Sequence, residues 1–171
     1  SGHGLNQGSK VVIAATGPPR RSLPGELPAD LVLPSGFQDP RICIPGVLAI
    51  EGPASQPGPG TNDHTVETFC QAFHPDQSIN QFPLVIIVDD SRFVTESFRN
   101  FLWTVFTRSN PADDIYGIGA STIAKHWQCQ GSLVIDARIK PHHAPPLIED
   151  PDVTRKIDAL AARGGPLAPY L

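Results

Sequence analysis

The sequence predicts an α/β fold: a three-layer sandwich in which a mostly parallel sheet, built around a βαβ unit, carries helices on its faces. Three observations point there. Short apolar runs at residues 10–16, 47–51, 82–88 and 132–137 are the length of buried strands and shorter than typical helices. Three other segments, at 64–73, 98–106 and 150–161, repeat apolar residues at helical spacing. The 171 residues are enough for one domain with tails and too few for two full catalytic domains.

Residues 1–8 (SGHGLNQG) are small, polar and aperiodic, and read as a tail or the remnant of a linker. Residues 9–171 are then a single α/β domain. With Ser1-Gly2-His3 at the start and no methionine anywhere, the chain has the look of a tag-cleaved piece of something longer. Residues 10–16 (KVVIAAT) form the first expected strand, ended by Gly17-Pro18-Pro19. Between Arg20 and Pro45, prolines at 24, 28, 34, 40 and 45 remove backbone donors, so this stretch is expected to be packed loop. A second strand, VLAIE at 47–51, closes at Gly52-Pro53 and gives way to the Pro- and Gly-rich excursion ASQPGPGTND. Val66, Phe69, Cys70 and Phe73 then mark a short helix that Asn62 or Asp63 could cap.

FPLVIIV at 82–88 is the clearest strand, stopped by Asp89-Asp90-Ser91. Phe98, Phe101, Leu102, Val105 and Phe106 follow at i, i+3, i+4, i+7 and i+8, an amphipathic helix with Thr95 as its expected N-cap and Asn110-Pro111 beyond its end. A Gly- and Ser-rich loop leads to the strand SLVIDA at 132–137, which completes the βαβ unit over 82–138. After the stiff loop PHHAPP, Asp150-Pro151 opens a last helix with Val153, Ile157, Leu160 and Ala161 on one face, stopped by Gly164-Gly165.

Composition narrows the function classes. Thirteen Lys plus Arg against seventeen Asp plus Glu give a formal charge of −4, with no block of like charge, which argues against a nucleic-acid partner. The apolar run at 84–88 is far too short to cross a bilayer, so no membrane partner is expected. Three widely spaced cysteines, Cys43, Cys70 and Cys129, suggest neither a disulfide framework nor a metal knuckle, and so a reducing, cytoplasmic setting.

Ligands in open α/β sheets gather beyond the carboxyl ends of the strands, which directs attention to Asp89, Asp90, His142 and His143. The two aspartates could hold a divalent ion or supply a general base, but turn chemistry favours capping. His142 and His143, with His126, form the one metal-like cluster. Adjacent histidines do not easily reach one tetrahedral ion, however, and the flanking prolines suit a contact surface better. Arg108 could grip a carboxylate or phosphate; an ion pair with Asp113 or Asp114 is the favoured expectation. The aromatic stripe with Trp103 reads as core or subunit interface. Nucleotide-binding and hydrolase signatures are absent, and the scattered glutamates show no catalytic pairing. The residues themselves thus name no catalytic or cofactor-binding set, which leaves a stand-alone binding or metal-dependent module using His126, His142 and His143 as one alternative.

FPLVIIVDD, then FLWTVFTRSNPADD with Trp103, Thr107-Arg108 and Pro111, then GSLVIDARIKP, together resemble the carboxyl-terminal domain of the UbiD-type aromatic acid decarboxylases, the polyprenyl-hydroxybenzoate carboxy-lyase family. GSKVVIAAT and PGVLAI extend the resemblance over about residues 8–165. It implies a domain that closes over substrate, contributes apolar lining, packs against the flavin-binding and amino-terminal domains of a parent protein, and builds a homodimer or higher homo-oligomer. Prenylated FMN, manganese and the Glu-Arg-Glu catalytic set of that family belong to the other domains, so the resemblance transfers no catalytic, cofactor or metal residue here, and the chain alone is expected to be inactive. KHWQCQGS and PHHAPP depart from the family pattern.

Overall fold

In the computed structural model, residues 17–19, 21–55, 63–141, 143 and 150–168 are described. The chain divides into two compact units, residues 1–141 and residues 142–171. The expected strand at 10–16 and most of PHHAPP lie outside the described residues.

The first unit is an α/β sandwich. Its elements are β1 (Gln38–Ile44), β2 (Val47–Glu51), α1 (Thr65–Gln71), β3 (Leu84–Val88), α2 (Ser91–Glu96), α3 (Phe98–Arg108), β4 (Ile115–Gly117), β5 (Ala120–Ile123), β6 (His126–Cys129) and β7 (Leu133–Asp136). Five strands make one sheet in the order β1-β2-β3-β7-β4, while β5 and β6 pair separately. Its centre, β2-β3-β7, is parallel, and both edge strands run antiparallel to their neighbours. β3, α3 and β7 form the expected βαβ unit.

The alternation of side chains along β2 and β3 builds two cores. Leu48, Ile50, Val85 and Ile87 face α1, where Val66, Phe69 and Phe73 meet them together with Ile79, Phe82 and Ile118. The opposite side chains, Val47, Ala49, Ile86 and Val88, face Val94 of α2 and Phe101 and Val105 of α3. Strands buried on both faces must be apolar at every position, which is why these read as unbroken apolar runs.

The structure departs from the sequence expectations in four places. Residues 20–45 are not all loop, because β1 includes Pro40. An edge strand tolerates proline, since one side of its ladder has no partner to lose, and the pairing with β2 is irregular on both sides of Arg41-Ile42. Gly46, at φ 84°, turns β1 into β2; a Cβ there would also lie 2.8 Å from Leu23. Two helices, not one, follow β3. Ser97 caps α3 by accepting from the Asn100 amide, whereas Thr95 lies inside α2 and donates its hydroxyl to the Ser91 carbonyl. Finally, the Gly- and Ser-rich loop contains β4 and the β5–β6 hairpin, whose turn residues Ala124 and Lys125 both have positive φ.

In the second unit, α4 (Pro151–Ala161) begins where expected, with the Asp150 carboxylate accepting from the Asp152 amide and proline in the first turn. No described helix is long and apolar enough to cross a membrane.

Candidate functional site

The parallel strands β2, β3 and β7 all end at one edge of the sheet, and the polar residues that stop them gather there. Glu51 closes β2, Asp89 and Asp90 follow β3, and Asp136 closes β7 with Arg138 and Lys140 behind it. Arg138 dominates the edge. Its side chain is fully buried, and it donates from Nε to Asp136 Oδ1 at 2.9 Å and from Nη2 to Asp136 Oδ2 at 2.8 Å. The same guanidinium reaches Asp63 Oδ2 at 2.9 Å and the Pro53 carbonyl at 2.8 Å. It thereby ties the chain just after β2 and just before α1 to the end of β7. Two-pronged pairing of this kind uses the planar fork that only arginine has.

Burial alone would lower the Arg138 pKa, but the carboxylates of Asp136 and Asp63 outweigh it and raise the value. Burial likewise works to raise the Asp63 pKa, and hydrogen bonds from Thr65 and Ser55 with the Arg138 charge overcome it, holding the carboxyl at about 2. Lys140 is buried beside this cluster. Its ammonium lies 3.3 Å from Asp114 Oδ2 and 3.8 Å from Asp136 Oδ2, and it donates to the carbonyls of Arg108 and Asp136 at 3.0 Å. A third group sits beside β1. The buried Ser91 hydroxyl lies 2.9 Å from Asp39 Oδ2 and 3.2 Å from Glu51 Oε1, and Arg41 binds Asp39 at 2.8 Å.

Asp89 and Asp90 do not act together. Asp90 accepts from the Phe93 amide and caps α2, while Asp89 accepts from the Ile139 amide at 2.8 Å and pairs with Arg108 at 3.0 Å. Arg108 therefore does not pair with Asp113 or Asp114, as its sequence neighbours suggested. Asp114 serves Lys140, and Asp113 accepts from the Asn110 amide side chain. Arg108 also lies over the Trp103 ring, 5.2 Å from its centre. His126 is exposed on β6 and His143 is half-buried; His142 lies outside the described residues. Among the described residues, no three His, Cys, Asp or Glu side chains are placed to hold a metal ion.

Asp136, Arg138 and Lys140 were not singled out from sequence, and Asp63 and Asp114 only as a helix cap and a partner for Arg108. The available signal was the period-two charge pattern of Asp136, Arg138 and Lys140 immediately after a buried strand. Chemically, the edge is a rigid ionic wall whose carboxylates already have cation or amide partners. It can position a neighbouring surface. The hydroxyl that does bond carboxylates, that of Ser91 with Asp39 and Glu51, is fully buried. At the amino ends of the strands an open cleft of about 510 Å³ is lined by Arg21, Leu23, Pro75, Asp76, Gln77 and Asn80.

No family model matches the chain. Over 157 residues, 92% of its length, it is 28% identical to a 4-hydroxybenzoate decarboxylase subunit of Chlamydia pneumoniae, of which it covers 25%. It is 29% identical over 158 residues to an uncharacterized protein of Chlamydia trachomatis serovar D, again 25% of that protein. The chain spans about a quarter of the length of the curated relatives it matches, and its similarity is to that quarter of a decarboxylase polypeptide.

Proposed function

We propose that this chain is the substrate-closing and assembly domain of a prenylated-flavin-dependent aromatic acid decarboxylase, reversible in direction and inactive without its companion domains. The observation that carries the reading is the match itself, which takes in 92% of the chain yet only 25% of a 4-hydroxybenzoate decarboxylase polypeptide. The strand-end chemistry supports it. Asp63, Asp136 and Arg138 satisfy one another, as do Asp114 and Lys140, so this edge supplies a stiff surface to close against a neighbouring domain. Among the described residues no three His, Cys, Asp or Glu side chains are placed to hold a metal ion, manganese included. In this reading the flavin and the manganese ion both belong to other domains.

The test is to mix the purified chain with prenylated FMN and manganese, desalt, and record the flavin absorbance. The expected spectrum has no flavin band. A stoichiometric band that survives desalting overturns the reading, because the cofactor site would then lie within these 171 residues.

A further inference from the structure

The cleft at the amino ends of the strands lies at the opposite end of the sheet from the ionic edge, and its walls are held in place. On one side Leu23 packs on Gly46, whose amide donates to the Pro24 carbonyl at 2.9 Å. On the other, Asn80 pins the turn at residues 74–81. Its Nδ2 donates to the carbonyls of His74 and Gln77 at 2.9 and 3.2 Å, and its Oδ1 accepts from the Ser132 amide at 2.8 Å. Asn80 thus spends its side chain on the fold and leaves recognition to its neighbours.

Two of those neighbours are charged and exposed. Among the described residues Arg21 makes one hydrogen bond, from Nη1 to the Asn80 carbonyl at 3.4 Å, so most of the five donors of its guanidinium are unspent. Asp76 lines the same cleft and, among the described residues, pairs with no cation. A cation and a carboxylate that share a cleft without pairing leave room for a ligand that bonds both. Half-exposed Leu23, with Pro24 and Pro75, adds apolar surface between the polar groups. The volume of about 510 Å³ falls within the range of small-molecule sites.

We propose that this cleft binds a small aromatic carboxylic acid with a hydroxyl or amino group at the far end of its ring. The ligand carboxylate takes the planar fork of Arg21, and the distal O–H or N–H donates to Asp76. The flat ring lies on Leu23, Pro24 and Pro75 and holds the two polar ends at a fixed span, so little freedom is lost on binding. The Asp76 charge repels phosphate and dicarboxylates, which gives the site its selectivity. The ligand class overlaps the aromatic acids of the reading above, but the site follows from the cleft's own chemistry and stands apart from the closing edge.

NMR titration of the 171-residue chain with 4-hydroxybenzoate, benzoate, phenol and inorganic phosphate tests it, alongside Arg21→Gln and Asp76→Asn. The expected Kd for 4-hydroxybenzoate is roughly 1 mM or tighter, with benzoate about threefold weaker and phenol and phosphate about tenfold weaker. Arg21→Gln should weaken 4-hydroxybenzoate about tenfold, and Asp76→Asn should erase its advantage over benzoate. Both side chains are exposed, so thermal melts should be unchanged, which separates a lost site from a lost fold. No shift changes at about 20 mM ligand, an affinity indifferent to Arg21→Gln, or phosphate bound as tightly as 4-hydroxybenzoate each overturns the site. Those results leave the companion-domain reading intact, because flavin retention tests it separately.

Discussion

Replacing Arg138 by methionine removes a charge without removing much volume, and the structure sets the size of the effect. Arg138 is fully buried, and Asp136, its two-pronged partner, is 3% exposed. The variant leaves the Asp136 carboxylate in the interior with the backbone amide of residue 138 at 3.1 Å and Lys140 at 3.8 Å, and takes a hydrogen bond from the Pro53 carbonyl and the ion pair from Asp63. Breaking a buried pair from one side costs about 3–5 kcal/mol, because the remaining charge stays desolvated. For a chain of this size that corresponds to a fall in Tm of roughly 6–20 °C. Urea unfolding followed by circular dichroism measures it directly. The second arm is the double variant Arg138→Met with Asp136→Asn, which removes the stranded charge and should recover about half or more of the loss. A single variant within about 1 kcal/mol of wild type, or a double variant no better than the single one, would show that Arg138 does not serve chiefly to neutralise a buried carboxylate.

Other outcomes follow from the same geometry. Because the Asp63 carboxyl is held at about 2 when folded against an ordinary value near 4, its stabilisation is present above pH 4 and is lost as pH falls from 4 through 2. Asp63→Asn should flatten that limb of the stability–pH curve, by about 1–2 kcal/mol after solvent screening. Thr104 is fully buried and its hydroxyl has no hydrogen-bond partner, so Thr104→Val should be neutral or raise stability by about 1 kcal/mol in thermal melts. Asp90→Ala removes the cap of α2 and should cost about 1 kcal/mol in urea unfolding, with Asp90→Ser recovering most of it. Gly117→Ala would put a methyl 2.4 Å from the Cys129 side chain, and should cost about 1–3 kcal/mol in the same assay.

The parts of the fold that were legible share one physical cause. β2, β3 and β7 are buried on both faces, so their sequences are continuous apolar runs, and α1, α3 and α4 each put apolar residues at helical spacing. What escaped was written in weaker terms. β1 carries a proline that an edge position tolerates, and α2 is one and a half turns long with only Val94 in the core. The β5–β6 hairpin is largely exposed, so it lacks an apolar pattern, and its turn uses Ala124-Lys125 where Asn-Gly would have announced it.

The site divides in the same way. A polar residue after a strand is visible locally, and the capping preference for Asp90 followed from turn chemistry alone. Partners distant in sequence are not visible. Arg108 has two aspartates close behind it, yet β3 brings Asp89 to it from nineteen residues upstream. Arg138 meets Asp63 across 75 residues, a pairing that only the parallel order of β2, β3 and β7 creates.

The proposed role makes these residues a closing and docking piece whose reacting groups belong to other domains. Its sharpest check is release of labelled carbon dioxide from a carboxyl-labelled aromatic acid by the purified chain, with prenylated flavin and manganese supplied. The expected rate is that of the protein-free control. Release above that control, lost when the chain is heat-denatured, would place reacting groups within this chain and overturn the role.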